Sequence, residues 1–424
     1  MSMLRRFVRT LKECCSLQDG DTVLVCCSGG IDSMVLLHLM NKASSLLGLG
    51  LGVIHVDHGI RGTASKKDAI FVAGVCRDMQ IPFYGYELHM EHTQENLEEH
   101  ARILRYDAVM KCKNGHGFDY AATGHTMDDQ AETLIYRIIR GSGIRGLAGM
   151  RHINTHGLIR PMLGLERDEI TRYAAANDIG FVNDSTNNDT TLARNFIRHK
   201  ILPLMKRINP ETIGALSRLS DIARGEGEVL EAMASSLREQ SILLDWNLIR
   251  AYRAGDLISA HEAVAKRTII SILTEMLGEP RGIDAIQVQG VFDVLMARKR
   301  AHTVKRRVRA VLDGKAMVFM DAGKETRFDM QIQGPGIFRI QGLDQAVKID
   351  FTQTDRVTLR LRSLNNGDRV EGKKAVKILS DKGVMNSQRR FWPILLSGDE
   401  IISIPGIIDT DRLIAVHTEF PYHE

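Results

Sequence analysis

Apolar residues run unbroken from Val23 to Cys27 and then give way to Ser28, Gly29 and Gly30. A run of that length predicts a strand buried on both faces of a parallel sheet. From Ile31 the spacing turns helical. Ile31, Met34, Val35 and Leu39 share one face, and Leu36, Leu37 and Met40 widen it. Thr22–Met34 therefore reads as strand, tight turn, helix, and the rest of the first half is organised around it. Free backbone N–H groups and the positive end of the helix then converge on one spot, which makes an anion site.

The same alternation continues. Strands are predicted at Leu51–Val56, Pro82–Leu88 and Tyr120–Thr123, and helices at Ala64–Met79 and Asn96–Cys112. A further helix opens after Gly124-His125-Thr126. Alternating strands and helices predict an α/β fold, a doubly wound parallel sheet, over residues 1–208. Ligands in such sheets gather at the carboxyl ends of the strands, where His55 and His125 fall. The texture changes near Pro203. Ile213–Ser241 and Ala260–Leu277 are helical by period, Gly278–Gly282 breaks the pattern, and Gln287–Lys299 reads as a last helix. A small helical domain over 209–302 follows from this. Glycine-punctuated β segments then dominate: Ala316–Met320, Gly336–Ile340, Val347–Phe351, Val357–Leu361 and Ile394–Ile404. They predict a β-rich α+β C-terminal domain over 303–424.

The bulk properties exclude some classes. With 44% hydrophobic and 25% charged residues the chain is an ordinary globular protein. It has no apolar run long enough for a membrane span and no signal-peptide h-region. Its six cysteines lie in the first third without a C-x-x-C, so neither a disulfide framework nor a zinc site is expected, and a reducing cytoplasm fits. A net charge of +4 permits nucleic-acid binding without demonstrating it.

Several polar groupings carry candidate chemistry. Asp129 and Glu132 are three apart at a helix start, so both carboxylates face one way. They either favour the positive helix end or hold an ammonium group. Arg102 and Arg105 occupy neighbouring positions of one helix face, and Arg194 and Arg198 open another helix. His55, His58 and His125 lack zinc spacing and read as ordinary hydrogen-bonding histidines. Arg140–Met150 is a glycine-rich basic loop, and 183–189 a turn by composition. Arg298-Lys299-Arg300 and Lys305-Arg306-Arg307 with Arg309 form basic clusters, either solvated or in contact with phosphates.

The chain contains no Walker G-x-x-x-x-G-K-[ST]. Ser28-Gly29-Gly30-Ile31-Asp32-Ser33 instead resembles the SGGxDS loop of the PP-loop ATP pyrophosphatases. SGGIDS, HVDHGIRG, NLEEHARILRY, ATGHTMDDQAET, RIIRGSGIRGLAGM, IRPML and NDSTNNDTTLARNFIR follow in that order. Together they resemble the tRNA(Ile)-lysidine synthetase family, with Thr126 standing where that family often has histidine. The later stretches RLRS, GDR, VKIL and RRFWPIL resemble its C-terminal module.

The resemblance implies a ligase. The wobble cytidine of a CAU anticodon in tRNA(Ile) would attack the α-phosphate of ATP, and free L-lysine would then displace AMP. It assigns nucleotide contacts to Ser28, Gly29, Gly30, Ile31, Asp32, Ser33, His55, Val56, Gly124 and His125, and Mg²⁺ to Asp32. It gives catalytic roles to Asp32, Asp129, Glu132, Arg102, Arg105, Arg194 and Arg198, and tRNA binding to the later domains. A homodimer is compatible with it, and a membrane partner is not expected. A PP-loop cytidine thiolase is the alternative enzyme, against which the missing C-x-x-C counts. A non-catalytic RNA-binding protein is the alternative outside enzymes, against which intact Ser28, Asp32 and Ser33 count.

Overall fold

The computed structural model describes residues 2–57, 63–88, 97–182, 192–278, 283–323, 327–340, 345–351, 359–409 and 416–419. His58, the turn expected over 183–189, most of the 278–282 break and the start of the strand expected at 357–361 lie outside them. The chain divides into two compact units, Met1–Gly227 and Glu228–Glu424.

The first unit begins with α1 (Met3–Glu13), β1 (Thr22–Cys26), α2 (Ile31–Leu47), β2 (Gly50–Asp57), α3 (Thr63–Asp78) and β3 (Phe83–Glu87). It continues with α4 (Leu97–Gly115), β4 (Tyr120–Ala122), α5 (Met127–Ile139), α6 (Ile144–Leu147), β5 (Leu158–Ile159) and α7 (Arg167–Ala176). The strands form one parallel sheet in the order β3-β2-β1-β4-β5. Side chains alternate across it. Val23 and Val25 of β1 pack with α1, α2, α3 and α7, while Leu24 joins Val109 and Cys112 of α4 on the other face. Both faces are covered, which is why β1 is apolar throughout. The strand order reverses between β1 and β4, so the crevice beyond their carboxyl ends is where a ligand fits.

After α7 come α8 (Ala193–Phe196), a π-helical turn (Ile197–Ile201), α9 (Leu202–Ile208) and α10 (Thr212–Ser241). Ala131, Leu134 and Ile135 of α5 pack on Ile197, Leu202, Ile213 and Leu216, which fixes the π turn against α5.

The second unit is less helical than its sequence period suggests. Directly after α10 a hairpin forms, β6 (Ile242–Trp246) and β7 (Ile249–Arg253), between the two expected helices of the domain expected to be helical. Then come α11 (Ala254–Ser259), α12 (Glu262–Leu277) and α13 (Ala285–Leu295), followed by β8 (Ala301–Val304), β9 (Val308–Asp313) and β10 (Ala316–Asp321). The expected helix at Gln287–Lys299 thus ends at Leu295, because Ala297 turns left-handed with φ +55°. These strands make an antiparallel sheet, β6-β7-β10-β9-β8. Tyr252, Met317 and Phe319 pack one face on α11–α13, while Trp246, Ala251, Val318 and Met320 join a second core around Trp392. That core holds the sheet of strands 329–332, 359–363, 393–397, 400–404 and 408–409. The single segment expected at Ile394–Ile404 is a hairpin of two strands. No helix among the described residues is long and apolar enough to cross a membrane.

Candidate active site

The turn after β1 is shaped from within. Gly29 has φ +89°, a conformation that a Cβ disfavours. The buried Ser33 hydroxyl accepts from the Ser28 N–H at 3.2 Å and donates to the Gly30 carbonyl at 2.8 Å. The Ser28 hydroxyl lies 3.3 Å from it and is exposed. Val182 N–H donates to the Gly29 carbonyl at 2.9 Å and ties the loop down from outside. Gly30 is the N-cap of α2 and makes no side-chain cap, so the first-turn N–H groups of α2 suit an anionic ligand.

Gly124 closes the other side of the crevice. A Cβ on it would sit 3.3 Å from the backbone carbon and oxygen of Asp32 and 3.4 Å from Ser33 N. Backbone cannot swing aside as a side chain can, and overpacking of this kind costs about 1–3 kcal/mol. Gly124→Ala is therefore expected to lower the unfolding free energy measured in urea by that amount and to weaken ATP binding, both readable on the purified protein. Unchanged values for both would remove Gly124 from the site.

Beside the loop lies a cluster of five charged side chains. Asp32 Oδ2 accepts from Arg167 Nη2 at 3.0 Å, while Asp32 Oδ1 is buried with no hydrogen-bond partner. Burial raises the Asp32 pKa above its ordinary value in spite of Arg167. Arg167 starts α7. Its N–H donates to Asp128 at 2.8 Å, and its guanidinium reaches within 3.8 Å of Asp129 Oδ1. Asp129 divides its oxygens between two tasks. Oδ2 closes a capping box with the N–H and hydroxyl of Thr126, at 2.8 and 2.9 Å, and Oδ1 takes Arg198 Nη2 at 3.0 Å. Burial opposes ionisation of Asp129, but the charge that His125 carries only at acid pH, with Arg167, the Thr126 N–H and Arg198, outweighs it and holds its pKa below the ordinary value. Glu132, 2% exposed, grips Arg198 with both oxygens at 2.5 and 3.0 Å, and burial still raises its pKa. Asp129 thus caps α5, and a cation sits between Asp129 and Glu132. In this structure that cation is Arg198.

Arg198 lies on the π-helical turn, a distortion that recurs at functional sites. Arg194, one turn earlier, reaches Thr133 Oγ1 at 3.4 Å. Arg102 stacks over Tyr106 at 5.8 Å, and both Arg102 and Arg194 act on His125. Burial, with the guanidiniums of Arg160, Arg102 and Arg194, pushes His125 down to about 4 against the pull of Asp129, so the ring is neutral at pH 7. Its Nδ1 is 2.8 Å from Thr123 Oγ1. Arg105 stands apart from the cluster and acts on Cys26 at the end of β1. His55 is buried, with Nδ1 2.9 Å from the Cys27 carbonyl. A carbonyl only accepts, so Nδ1 carries the proton and the tautomer is fixed. The Val56 side chain packs on the α4 side of the sheet, which leaves its backbone as the part able to meet a ligand.

Sequence reasoning missed Arg167, which opens α7 between the acidic residues Glu166 and Asp168. A signal was present, since a cation on the first turn of a helix opposes the helix dipole and calls for carboxylate partners. Those partners, Asp32 and Asp129, lie far away in sequence.

The family model of a PP-loop domain matches residues 3–205. The tRNA(Ile)-lysidine synthase of Thermotoga maritima is 30% identical over 94% of this chain and 94% of its own length. That of Symbiobacterium thermophilum is 30% identical over 93% and 92%. The Clostridioides difficile protein of the same name is 28% identical over 94% and 91%.

Proposed function

The chain belongs to the tRNA(Ile)-lysidine synthase family, and from that membership we propose how its site works. It is an ATP-dependent ligase that joins lysine to C2 of the wobble cytidine in the CAU anticodon of tRNA(Ile), giving lysidine, AMP and pyrophosphate. The flipped cytidine presents its 2-carbonyl oxygen to the α-phosphate of ATP, as enzymes acting on a base require its extraction from the stack. The oxygen–phosphorus bond forms and pyrophosphate leaves into the loop Ser28–Ser33. The lysine ε-amine then attacks C2 of the adenylated cytidine, and the bond to AMP breaks.

The observation that carries this reading is the charge of the cluster beside the loop. Three carboxylates, Asp32, Asp129 and Glu132, face two guanidiniums, Arg167 and Arg198, which leaves one carboxylate charge unbalanced. An arriving lysine ammonium would balance it, and Glu132, whose burial raises its proton affinity, would take its proton and free the amine. Arg102 and Arg194 would offset phosphate charge in the transition state. Neutral His125 would offer a hydrogen bond on the nucleotide side without adding charge, and His55, held on the Cys27 carbonyl, would line the same side, while Arg105 stands farther off. Mg²⁺ fits Asp32, because Oδ1 is buried and unpartnered and this ion takes one carboxylate together with phosphates and water. Bound there, it would neutralise the triphosphate. Among the described residues no group of three or more His, Cys, Asp or Glu offers an all-protein metal cage.

Residues 209–302 and 303–424 would hold the tRNA body, the compartment is the cytoplasm, and a homodimer is compatible with the reaction. Labelled lysine should enter an unmodified tRNA(Ile) transcript only when ATP is present, with one AMP and one pyrophosphate per lysine. Release of pyrophosphate without lysine incorporation would overturn the reading.

A further inference from the structure

The turn joining β8 to β9 carries two cations where backbone geometry favours asparagine and glycine. Arg307 N–H donates to the Val304 carbonyl at 3.0 Å, which closes a four-residue turn. Its central residues, Lys305 and Arg306, both have positive φ, +49° and +56°. Positive φ at both centres defines the type I′ hairpin turn, for which Asn-Gly is the preferred pair. An L-residue with a long side chain meets a steric penalty at each of these positions.

The base of the turn is rigid. Val304 and Val308 are fully buried. The Arg307 guanidinium holds Asp321, 2% exposed, at 3.0 Å, and Ala322 N–H donates to the Arg307 carbonyl at 2.6 Å. The turn is therefore fixed from below, while Lys305 and Arg306 are exposed above. Exposed Arg309 follows on β9, and burial together with Arg309 depresses the pKa of Arg390. In the basic run just before the turn, Arg298 and Lys299 lean back on Asp293 at 3.7 and 3.5 Å.

We propose that the Lys305-Arg306 turn is a preset contact for the phosphate backbone of the tRNA substrate, its strain retained because the favoured pair would remove both cations. The proposal rests on the tRNA-modifying reading above. Rigid placement of cations suits a backbone contact, which orients a nucleic acid without reading its sequence.

Two double variants test it, Lys305→Asn with Arg306→Gly and Lys305→Gln with Arg306→Gln. Binding of unmodified tRNA(Ile) transcript to the full chain is measured over a salt series, with thermal midpoints alongside. Each lost phosphate contact makes the slope of log K against log salt shallower by about 1, so both variants should lose about 2. Affinity at moderate salt should fall about tenfold for two contacts. The Asn-Gly variant should melt higher than wild type, and the Gln-Gln variant should not. An unchanged salt slope in either variant overturns the proposal, as does an unchanged affinity. Lysine incorporation by the wild type separates the two readings. If the wild type binds tRNA without incorporating lysine, the ligase reading fails and the turn is still judged on its salt slope.

Discussion

Asp32→Ala and Asp32→Asn are each expected to lower pyrophosphate release by at least about 10²–10³-fold, as removal of an electrostatic group from a preorganised site does. Neither should unfold the protein. Asp32 lies at the edge of the sheet beside the loop, outside the apolar clusters. Its removal also balances the cluster, leaving Asp129 and Glu132 against Arg167 and Arg198. The pH behaviour follows from the raised pKa of Asp32 in the folded chain, caused by burial. A carboxyl that binds its proton more tightly when folded costs stability once ionised, above its folded pKa. Asp32→Asn should therefore melt at or above the wild-type temperature at neutral pH. That difference should fade as pH falls below the unfolded pKa, where both states are protonated. Full pyrophosphate release by the variants would remove Asp32 from the chemistry. A lower melting temperature for Asp32→Asn would show instead that the pair with Arg167 contributes net stability.

The parts legible in the sequence were those with a local signature. The run Val23–Cys27, the glycine turn and the helical spacing from Ile31 each depend on neighbours within a few residues, and they gave the parallel sheet and its loop. The capping role of Asp129 was equally local, since Thr126 lies three residues earlier. What could not be read depends on contacts across the chain. Arg167 meets Asp32 over a separation of 135 residues and Arg198 meets Glu132 over 66, and no spacing rule links such pairs. The β6–β7 hairpin escaped for a different reason. It follows the long helix α10 with no glycine or proline at the junction, and ILLDW has no clean alternation. Its strand character comes from pairing with β10, which lies some seventy residues later. The turn at Lys305 and Arg306 was visible only as charge, because its backbone conformation contradicts the preference of the residues that adopt it.

Glu132→Gln is expected to raise the lysine KM by one to two orders of magnitude, at about 1.4 kcal/mol per tenfold, and to slow the lysine step because the base is lost, while adenylation of tRNA is far less affected. The substitution keeps size and shape and removes one charge. In the free protein Glu132 binds Arg198 through both oxygens, and Asp129 shares the same guanidinium. Lysine must therefore join Arg198 in the pocket or push it aside, and either route needs the full negative charge of the pair. A charge-assisted hydrogen bond is worth about 1.5–3 kcal/mol, which sets the size of the expected shift. Glutamine can still accept one bond from Arg198, so the fold of α5 on the π-helical turn should survive. The adenylation step depends on the loop and Asp32, which the change leaves in place. Two assays divide the outcomes: steady-state kinetics with lysine varied, and trapping of the adenylated tRNA without lysine. A raised KM with adenylate formed at the normal rate assigns Glu132 to the lysine subsite. An unchanged KM with slow adenylation would show that the pair serves Arg198 alone, holding that guanidinium in place for the phosphate chemistry.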